Sequence, residues 1–204
     1  WPNIPVGANI GKSKITPLDE AAEDYCTSIR RLRDFTDYFT INVSSPNTPG
    51  LRELQEASRL SALLQPVVEA AGSKPVFLKL APDLDPEQIR SAVEVAVDTG
   101  CSGLIGTNTT ISRPGTTGRM EEAGGLSGAP LWELSQARIG QILEASSDRL
   151  PVIGVGGVRS GEQAERLLEM GCKAVQVYSG LIFEGPGLAH RINRHLLRKT
   201  SRSD

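Results

Sequence analysis

The sequence carries almost no excess of charge of either sign. Its 22 lysines and arginines are matched by 24 aspartates and glutamates, which leaves a formal net charge of −2 at pH 7. Binding to a nucleic acid depends on neutralising phosphates with clustered basic side chains, and acids and bases are interspersed here. The basic run at residues 194–202 lies at the C-terminus among Ser and Thr, which is typical of a solvated end. We therefore expect no nucleic acid partner.

Long apolar runs and closely spaced metal ligands are also missing. No apolar stretch approaches the roughly 20 residues that a helix needs to cross a bilayer. Cys26, Cys101 and Cys172 are far apart and outside any metal-ligand spacing, which favours a reduced, cytosol-facing protein. His190 and His195 are five residues apart on a predicted helix and so lie on different faces. We expect no metal site, and histidines that are exposed or partly packed.

The length and the first residues bear on domain organisation. A chain of 204 residues is long enough for one sizeable core, so we expect residues 1–204 to form a single domain. The sequence opens on Trp1-Pro2-Asn3 without a methionine and runs directly into a predicted strand. We interpret this start as the middle of a longer protein.

Six short β-rich runs alternate with segments of helical period. Most of the runs are nearly continuously apolar, as expected of strands that are buried on both faces. They are residues 4–10, 38–43, 75–80, 103–107, 152–155 and 174–178. Segments such as 18–32 and 87–97 carry apolar residues on one helix face, and residues 16–17 and 83–86 before them are plausible helix starts. This alternation, repeated six times, predicts a parallel sheet with right-handed crossovers.

Polar residues and glycines gather at the same end of all six runs. In a (β/α)8 TIM barrel the active site is built at that end of every strand, whereas a doubly wound sheet concentrates such residues at one switch point. We therefore predict an α/β fold of the TIM-barrel type. A complete barrel has eight strands and typically about 250 residues. We expect an incomplete barrel with about the last six β/α units, its N-terminal part being absent.

The most distinctive segment is residues 42–52, Asn-Val-Ser-Ser-Pro-Asn-Thr-Pro-Gly-Leu-Arg. Pro46 and Pro49 stiffen it and Gly50 permits an unusual turn, so its small polar side chains have little freedom. This pattern suits a rigid loop that contacts a substrate. Ser, Pro, Asn and Gly are also the ordinary residues of turns, and composition alone leaves that alternative open.

This segment resembles the catalytic-loop signature of the dihydroorotate dehydrogenases. Further similar segments follow in order at family-like separations: GANIGK at 7–12, KLAPDL at 79–84, TNTT at 107–110, GGLSG at 124–128, GVGGV at 154–158 and QVYS at 176–179. Each segment is weak by itself, but together they are specific. The soluble classes of the family carry Cys as the base where this sequence has Ser45, and the membrane-associated, quinone-linked class carries Ser. The chain is similar to the C-terminal two-thirds of that class.

The resemblance implies a reaction and a substrate site. In the family a proton leaves C5 of dihydroorotate, a hydride passes from C6 to N5 of flavin mononucleotide (FMN), and the electrons go on to a quinone. Ser45 would be the base, helped by hydrogen-bond partners or a water, because a serine hydroxyl alone is a poor base. Asn47, Asn108 and Thr109 would bind orotate, and Asn42 would contact both orotate and flavin. As isolated residues they are equally typical of turns and strand ends.

A flavin site is implied in the same way. Lys79 ends an apolar strand, where an unpaired ammonium is costly, so it needs an anionic partner. In the family the matching lysine lies beside the flavin ring, and Asn9 and Thr107 would also face that ring. Exposed backbone N–H groups after the last strands commonly bind phosphate in barrel enzymes. The resemblance assigns the phosphate and its surroundings to Gly128, Gly157, Tyr178 and Ser179.

Two alternatives stay open at this point. The chain is a truncated, non-catalytic fragment that binds flavin weakly, or it belongs to another FMN-dependent TIM-barrel oxidoreductase, which the Ser-Ser-Pro-Asn loop disfavours. By resemblance the whole protein is a peripheral membrane protein, on the cytoplasmic side of a bacterial inner membrane or on the mitochondrial inner membrane. It would contact the membrane surface through an N-terminal part that this sequence does not contain.

Overall fold

The computed structural model describes residues 3–114 and 123–200. Within those ranges six parallel strands form one sheet in sequence order: β1 (Gly7–Ile10), β2 (Tyr38–Asn42), β3 (Val76–Leu80), β4 (Gly103–Gly106), β5 (Val152–Val155) and β6 (Ala174–Gln176). Each predicted run contains one of these strands. The sheet is a half-barrel with β1 and β6 at its two edges, so the predicted incomplete TIM barrel is confirmed.

Helices connect the strands on one side of the sheet. Seven α-helices lie in the described ranges: α1 (Ala21–Leu32), α2 (Ala57–Ala71), α3 (Pro86–Asp98), α4 (Trp132–Ser146), α5 (Gly161–Glu169), α6 (Ser179–Glu184) and α7 (Leu188–Thr200). Three short 3-10 helices precede or follow them: Arg33–Phe35, Leu51–Gln55 and Ala129–Leu131. Every strand is therefore followed by at least one helix, as the alternating pattern predicts.

The predicted helix starts are correct for α3 and early for α1. Asp85 caps α3 by accepting a hydrogen bond from the Gln88 N–H at 2.9 Å, while the Gln88 side chain accepts one from the Asp85 N–H. The first helix begins three residues later than the predicted Leu18. The residues before it form a loop instead of a helical turn. In this loop the buried Lys12 ammonium donates hydrogen bonds to the backbone oxygens of Ser13 and Thr16.

The main core lies between the sheet and the helices. Ile10, Ile41, Leu78 and Leu104 are neighbours in the strand register, and each is at most 5% exposed. Because residues in register point to the same side of a parallel sheet, these four form one apolar row against the helices. Burying each such side chain contributes about 1.5–3 kcal/mol. This row holds the C-terminal ends of the strands side by side.

The opposite, concave face is less buried than the sequence pattern predicts. Phe77 and Ile153 are half-buried and Ala174 is exposed, although all three belong to runs predicted to be buried on both faces. Side chains alternate along a strand, so the outer row can be fully covered by helices while the concave row is not.

The histidines lie on or near the helices outside the sheet. His195 is half-buried, and its Nε2 lies 2.8 Å from Glu165 Oε2 between α5 and α7, while His190 is exposed. The prediction of exposed or partly packed histidines is confirmed.

The three cysteines are buried, and burial raises the pKa of the Cys101 and Cys172 thiols to about 11. Among the described residues, no helix combines the length and apolar character required to cross a bilayer.

Candidate active site

A cavity of about 270 Å³ lies at the C-terminal ends of the strands. Ten of the twelve residues predicted to form the site line it: Asn9, Asn42, Lys79, Thr107, Asn108, Thr109, Gly128, Gly157, Tyr178 and Ser179. Ser45 and Asn47 belong to the adjacent loop that follows β2 and do not line this cavity. The sheet therefore brings together residues from all six β/α units at one end.

Three of these residues lie within strands rather than after them. Asn9 and Lys79 are each the last but one residue of their strand, β1 and β3. Lys79 pairs in register with Asn42, the last residue of β2, so both side chains point to the concave face. The polar groups are thus presented by the sheet itself as well as by loops.

A hydrogen-bonded cluster links the ends of β2, β3 and β4. Asn108 Nδ2 donates to Asn42 Oδ1 and to Ser44 Oγ, each at 2.9 Å. The Ser44 hydroxyl donates to the backbone oxygen of Lys79 at 2.9 Å, and Ser44 is fully buried. Ser44 was not a predicted site residue, because nothing in the residue type distinguishes it from Ser45 in the Ser-Ser pair.

The loop of residues 43–50, called the Ser45 loop below, borders the cavity. Ser45 is half-buried and its Oγ accepts a hydrogen bond from the Asn47 N–H at 3.3 Å. The segment with Gly124 and Gly125 crosses this loop closely. A Cβ at Gly125 would lie 2.9 Å from Pro46 Cγ of this loop and 1.9 Å from Thr109 Oγ1, so only glycine allows the backbone to approach.

Two polar groups in the cavity have no partner among the described residues. Thr107 Oγ1 is buried and makes no hydrogen bond within that part of the chain. The Lys79 ammonium is half-buried and makes no ion pair there, and desolvation lowers the pKa of Lys79. Buried polar groups are almost always hydrogen-bonded in folded proteins. Thr107 Oγ1 is therefore a buried group open to a partner, and the Lys79 ammonium faces the same cavity, so a ligand that carries acceptors would suit both.

The other end of the cavity is formed by glycines and a serine. Gly128 and Gly157 have φ values of +79° and +77°, a backbone conformation that favours glycine. Ser179 Oγ donates to Ser127 Oγ at 2.8 Å, which joins the segment before α4 to the start of α6. Backbone N–H groups exposed by such glycines are suited to an anion. The Tyr178 ring is 81% exposed at the sheet edge.

Gln176 and Ser127 also line the cavity, although neither was a predicted site residue. Gln176 is the last residue of β6 and pairs in register with Val155 of β5. Both missed residues lie within segments that resemble the family motifs. Their position inside those motifs was the available signal.

Comparison with known proteins gives the family. A family model described as dihydroorotate dehydrogenase matches residues 2–199. The chain belongs to the dihydroorotate dehydrogenase family. A relative from Anaeromyxobacter sp. (strain Fw109-5), named dihydroorotate dehydrogenase (quinone), is 47% identical over 204 residues and covers 97% of this chain. A relative of the same name from Gloeobacter violaceus is 47% identical over 201 residues.

Solved dihydroorotate dehydrogenase structures agree with this membership. The crystal structure of the Eimeria tenella enzyme in complex with ferulenol has a TM-score of 0.90 at 33% identity. The matched region includes 97% of this chain but only 58% of the Eimeria tenella chain. The Anaeromyxobacter relative is likewise covered over 56% of its length. The chain thus spans little more than half the length of these dihydroorotate dehydrogenases, and the resemblance seen in the sequence motifs is confirmed.

Proposed function

We propose that the whole protein oxidises dihydroorotate to orotate in pyrimidine biosynthesis, using FMN and passing electrons to a quinone. Residues 1–204 would form its FMN-binding barrel domain. The observation that carries the proposal is one cavity that holds the unpartnered Thr107 hydroxyl and the partly buried Lys79 ammonium. Asparagine amides suited to a pyrimidine lie at one end of this cavity, and glycines suited to a phosphate lie at the other. The name shared by the bacterial relatives supports the same reaction.

The residues of the cavity fit a flavin nucleotide. Lys79 would stabilise negative charge on the pyrimidine edge of the ring, and the Thr107 hydroxyl would gain the partner that it lacks among the described residues. Asn9 faces the same space from β1. The phosphate would bind between Gly128, Gly157 and Ser179, with Tyr178 beside them. When bound, FMN supplies the hydride acceptor for the reaction.

The amides and the Ser45 loop fit the substrate. Asn42, Asn47 and Asn108 each carry a donor and an acceptor, which complement the alternating N–H and C=O groups of a pyrimidine. Thr109 adds a hydroxyl. Ser45 would take the C5 proton as the general base. Its Oγ already accepts the Asn47 N–H at 3.3 Å, so the hydroxyl proton is directed away from Asn47.

The electron acceptor and the location follow from the class. The relatives' name specifies a quinone, and quinones reside in membranes, so we place the whole protein at a membrane surface as a peripheral protein. That surface is the inner membrane of a bacterium or of mitochondria. Contact with it would come from parts of the protein outside these 204 residues.

The test uses the full-length protein purified with its flavin. Anaerobic mixing with dihydroorotate should bleach the flavin absorbance, and a short-chain quinone analogue should restore it. A flavin that is bleached by another reduced substrate but not by dihydroorotate would instead support a different FMN-dependent oxidoreductase.

A second measurement addresses the fragment alternative. The 204-residue chain alone should bind FMN more weakly than the full-length protein, because its β1 and β6 edges are unpaired within the described residues. Equal FMN affinity and equal bleaching by dihydroorotate would show that the remaining part of the protein is not needed for chemistry.

A further inference from the structure

Arg52 connects three of the loops that follow the strands. Its Nε donates to the backbone oxygen of Ser44 at 3.1 Å, and its Nη2 donates to the backbone oxygen of Thr109 at 3.0 Å. Its Nη1 forms an ion pair with Asp83 Oδ2 at 2.8 Å. One planar guanidinium group therefore spans the loops after β2, β3 and β4. A lysine ammonium is a point charge and cannot reach three acceptors placed in this way.

Asp83 extends the connection on its other side. Its Oδ1 accepts a hydrogen bond from the Thr110 hydroxyl, and its Oδ2 also accepts one from the Ile111 N–H at 3.2 Å. The side chains of Arg52 and Asp83 are only 22% and 18% exposed. Water therefore competes little for these groups, and the pair keeps its geometry better than a surface ion pair does.

The acceptors of Arg52 adjoin the residues proposed to do the chemistry. The Ser44 carbonyl belongs to the peptide group that carries the Ser45 nitrogen, so the orientation of this peptide sets the direction of the Ser45 side chain. The Thr109 carbonyl belongs to a residue of the proposed substrate site. Arg52 and Asp83 themselves do not line the cavity. They are therefore placed to fix the backbone next to Ser45 and at Thr109 without contacting a ligand in the cavity.

We propose that Arg52 and Asp83 are a positioning pair that sets the placement of Ser45 relative to the pyrimidine site formed by Asn108 and Thr109. The inference rests on the proposed function, since it assigns the pair to that reaction. A misplacement of about 1 Å in a catalytic group can cost roughly 10²-fold in rate. Binding of the pyrimidine depends on several amides and is less sensitive to the direction of one hydroxyl.

The test compares variants of the full-length, FMN-loaded protein. Arg52→Met and Asp83→Asn should each slow flavin reduction by dihydroorotate by about 10²-fold, while the Kd of orotate changes by less than about fivefold. Arg52→Lys keeps the charge and should still lose roughly tenfold, because it cannot hold both carbonyls. Arg59→Met is the matched control. Its ion pair with Glu53 is 2.7 Å long, but its side chains are 50% and 59% exposed, and we expect wild-type rates.

A second background separates positioning from general structural damage. In a Ser45→Ala protein the base is already missing, so adding Arg52→Met should slow flavin reduction by less than about threefold more. Equal losses in both backgrounds would overturn the proposal, because the pair would then act independently of Ser45. A loss of less than about threefold when Arg52→Met is made in the otherwise unsubstituted protein would overturn it too. If Arg52→Met does not fold, Arg52→Lys is carried through the same cycle and decides the question. Flavin reduction in the unsubstituted protein tests the proposed function separately.

Discussion

The loops after β2, β3 and β4 and the β6–α6 edge are built in different ways. The three loops are joined through side chains: Ser44 contacts Asn108 and Lys79, and Arg52 contacts three separate segments. At the β6–α6 edge, Tyr178, Ile182 and Phe183 are 80% exposed or more. Ser179 is joined to the neighbouring segment there by one hydrogen bond, to Ser127.

This difference matches what each region is proposed to bind. Proton abstraction requires a base held within a fraction of an ångström, which a network of side-chain hydrogen bonds provides. A phosphate is bound by backbone N–H groups, whose directions depend on the glycine conformations rather than on side chains. On the proposed assignment, the hydrogen-bonded network lies where geometry would control rate, and the glycines lie where they would control affinity.

Ser45→Ala in the full-length protein should give the largest effect, and it tests the region proposed to control rate. A general base typically contributes about 10²- to 10⁴-fold, so flavin reduction should slow by that factor. Orotate affinity should stay nearly unchanged, because the amides remain. Stopped-flow flavin reduction and orotate titration measure the two quantities.

Ser45→Cys serves as the companion variant. It should recover part of the rate, since the soluble classes of the family use Cys at the matching position, although the thiol differs in size and pKa. A Ser45→Ala protein that is reduced within about threefold of the wild-type rate would remove Ser45 from the mechanism.

Lys79→Met should act mainly on the flavin. A hydrogen bond to a charged group contributes about 1.5–3 kcal/mol, so FMN affinity should fall by roughly 10- to 100-fold. The exposed Lys173 provides the control Lys173→Met, which should bind FMN normally. Titration of the flavin-free protein with FMN measures both. Unchanged affinity in Lys79→Met would place the flavin elsewhere.

The same lysine predicts a pH dependence in the flavin-free protein. Burial lowers the pKa of Lys79 below its ordinary value of 10.5, so in the window between the two the unfolded chain binds more protons than the folded one. The free energy of unfolding contributed by Lys79 therefore rises with pH through that window. Urea unfolding at a series of alkaline pH values should show this rise in the wild type relative to Lys79→Met. A difference that falls with pH would contradict the proposed burial.

Gly157→Ala tests the glycine cradle. Alanine at the φ of +77° costs about 1–2 kcal/mol, and its Cβ would lie 2.8 Å from the Trp132 backbone, so FMN affinity should fall as well. Gly72→Ala is the matched control, with a φ of +64° and no atom within 4 Å of the added Cβ. It should lose stability without losing FMN affinity. Equal FMN affinities in the two variants would separate Gly157 from phosphate binding.

Ile182→Ala should give the smallest effect. Ile182 is 80% exposed, so its removal from the 204-residue chain should change the free energy of unfolding by less than about 0.5 kcal/mol. Leu78→Ala, at a fully buried site of the outer row, should cost about 2–5 kcal/mol. Denaturant unfolding of both variants measures the contrast. A cost for Ile182→Ala comparable to that of Leu78→Ala would mean that the edge is covered in solution.

The helix boundaries and the burial of the sheet could be predicted from the sequence only in part. The start of α3 could be predicted because its capping residues are local, whereas the start of α1 depended on a loop that Lys12 closes. On the concave side the prediction of burial on both faces was wrong at Phe77, Ile153 and Ala174, whereas Thr40 and Ile105 are buried there. Apolar runs indicate strands, but they do not show how many neighbouring elements will cover each face.

Composition, periodicity and motif order were sufficient for the family, the six parallel strands and ten of the residues that line the cavity, because each of these signals is local in the chain. The roles of Ser44, Arg52 and Asp83 required the folded structure. Arg52 meets Asp83 across 31 positions and Thr109 across 57, and Ser44 meets Asn108 across 64. Such contacts form only when strand register brings loop ends together. They depend on side-chain geometry, which neither residue type nor spacing encodes.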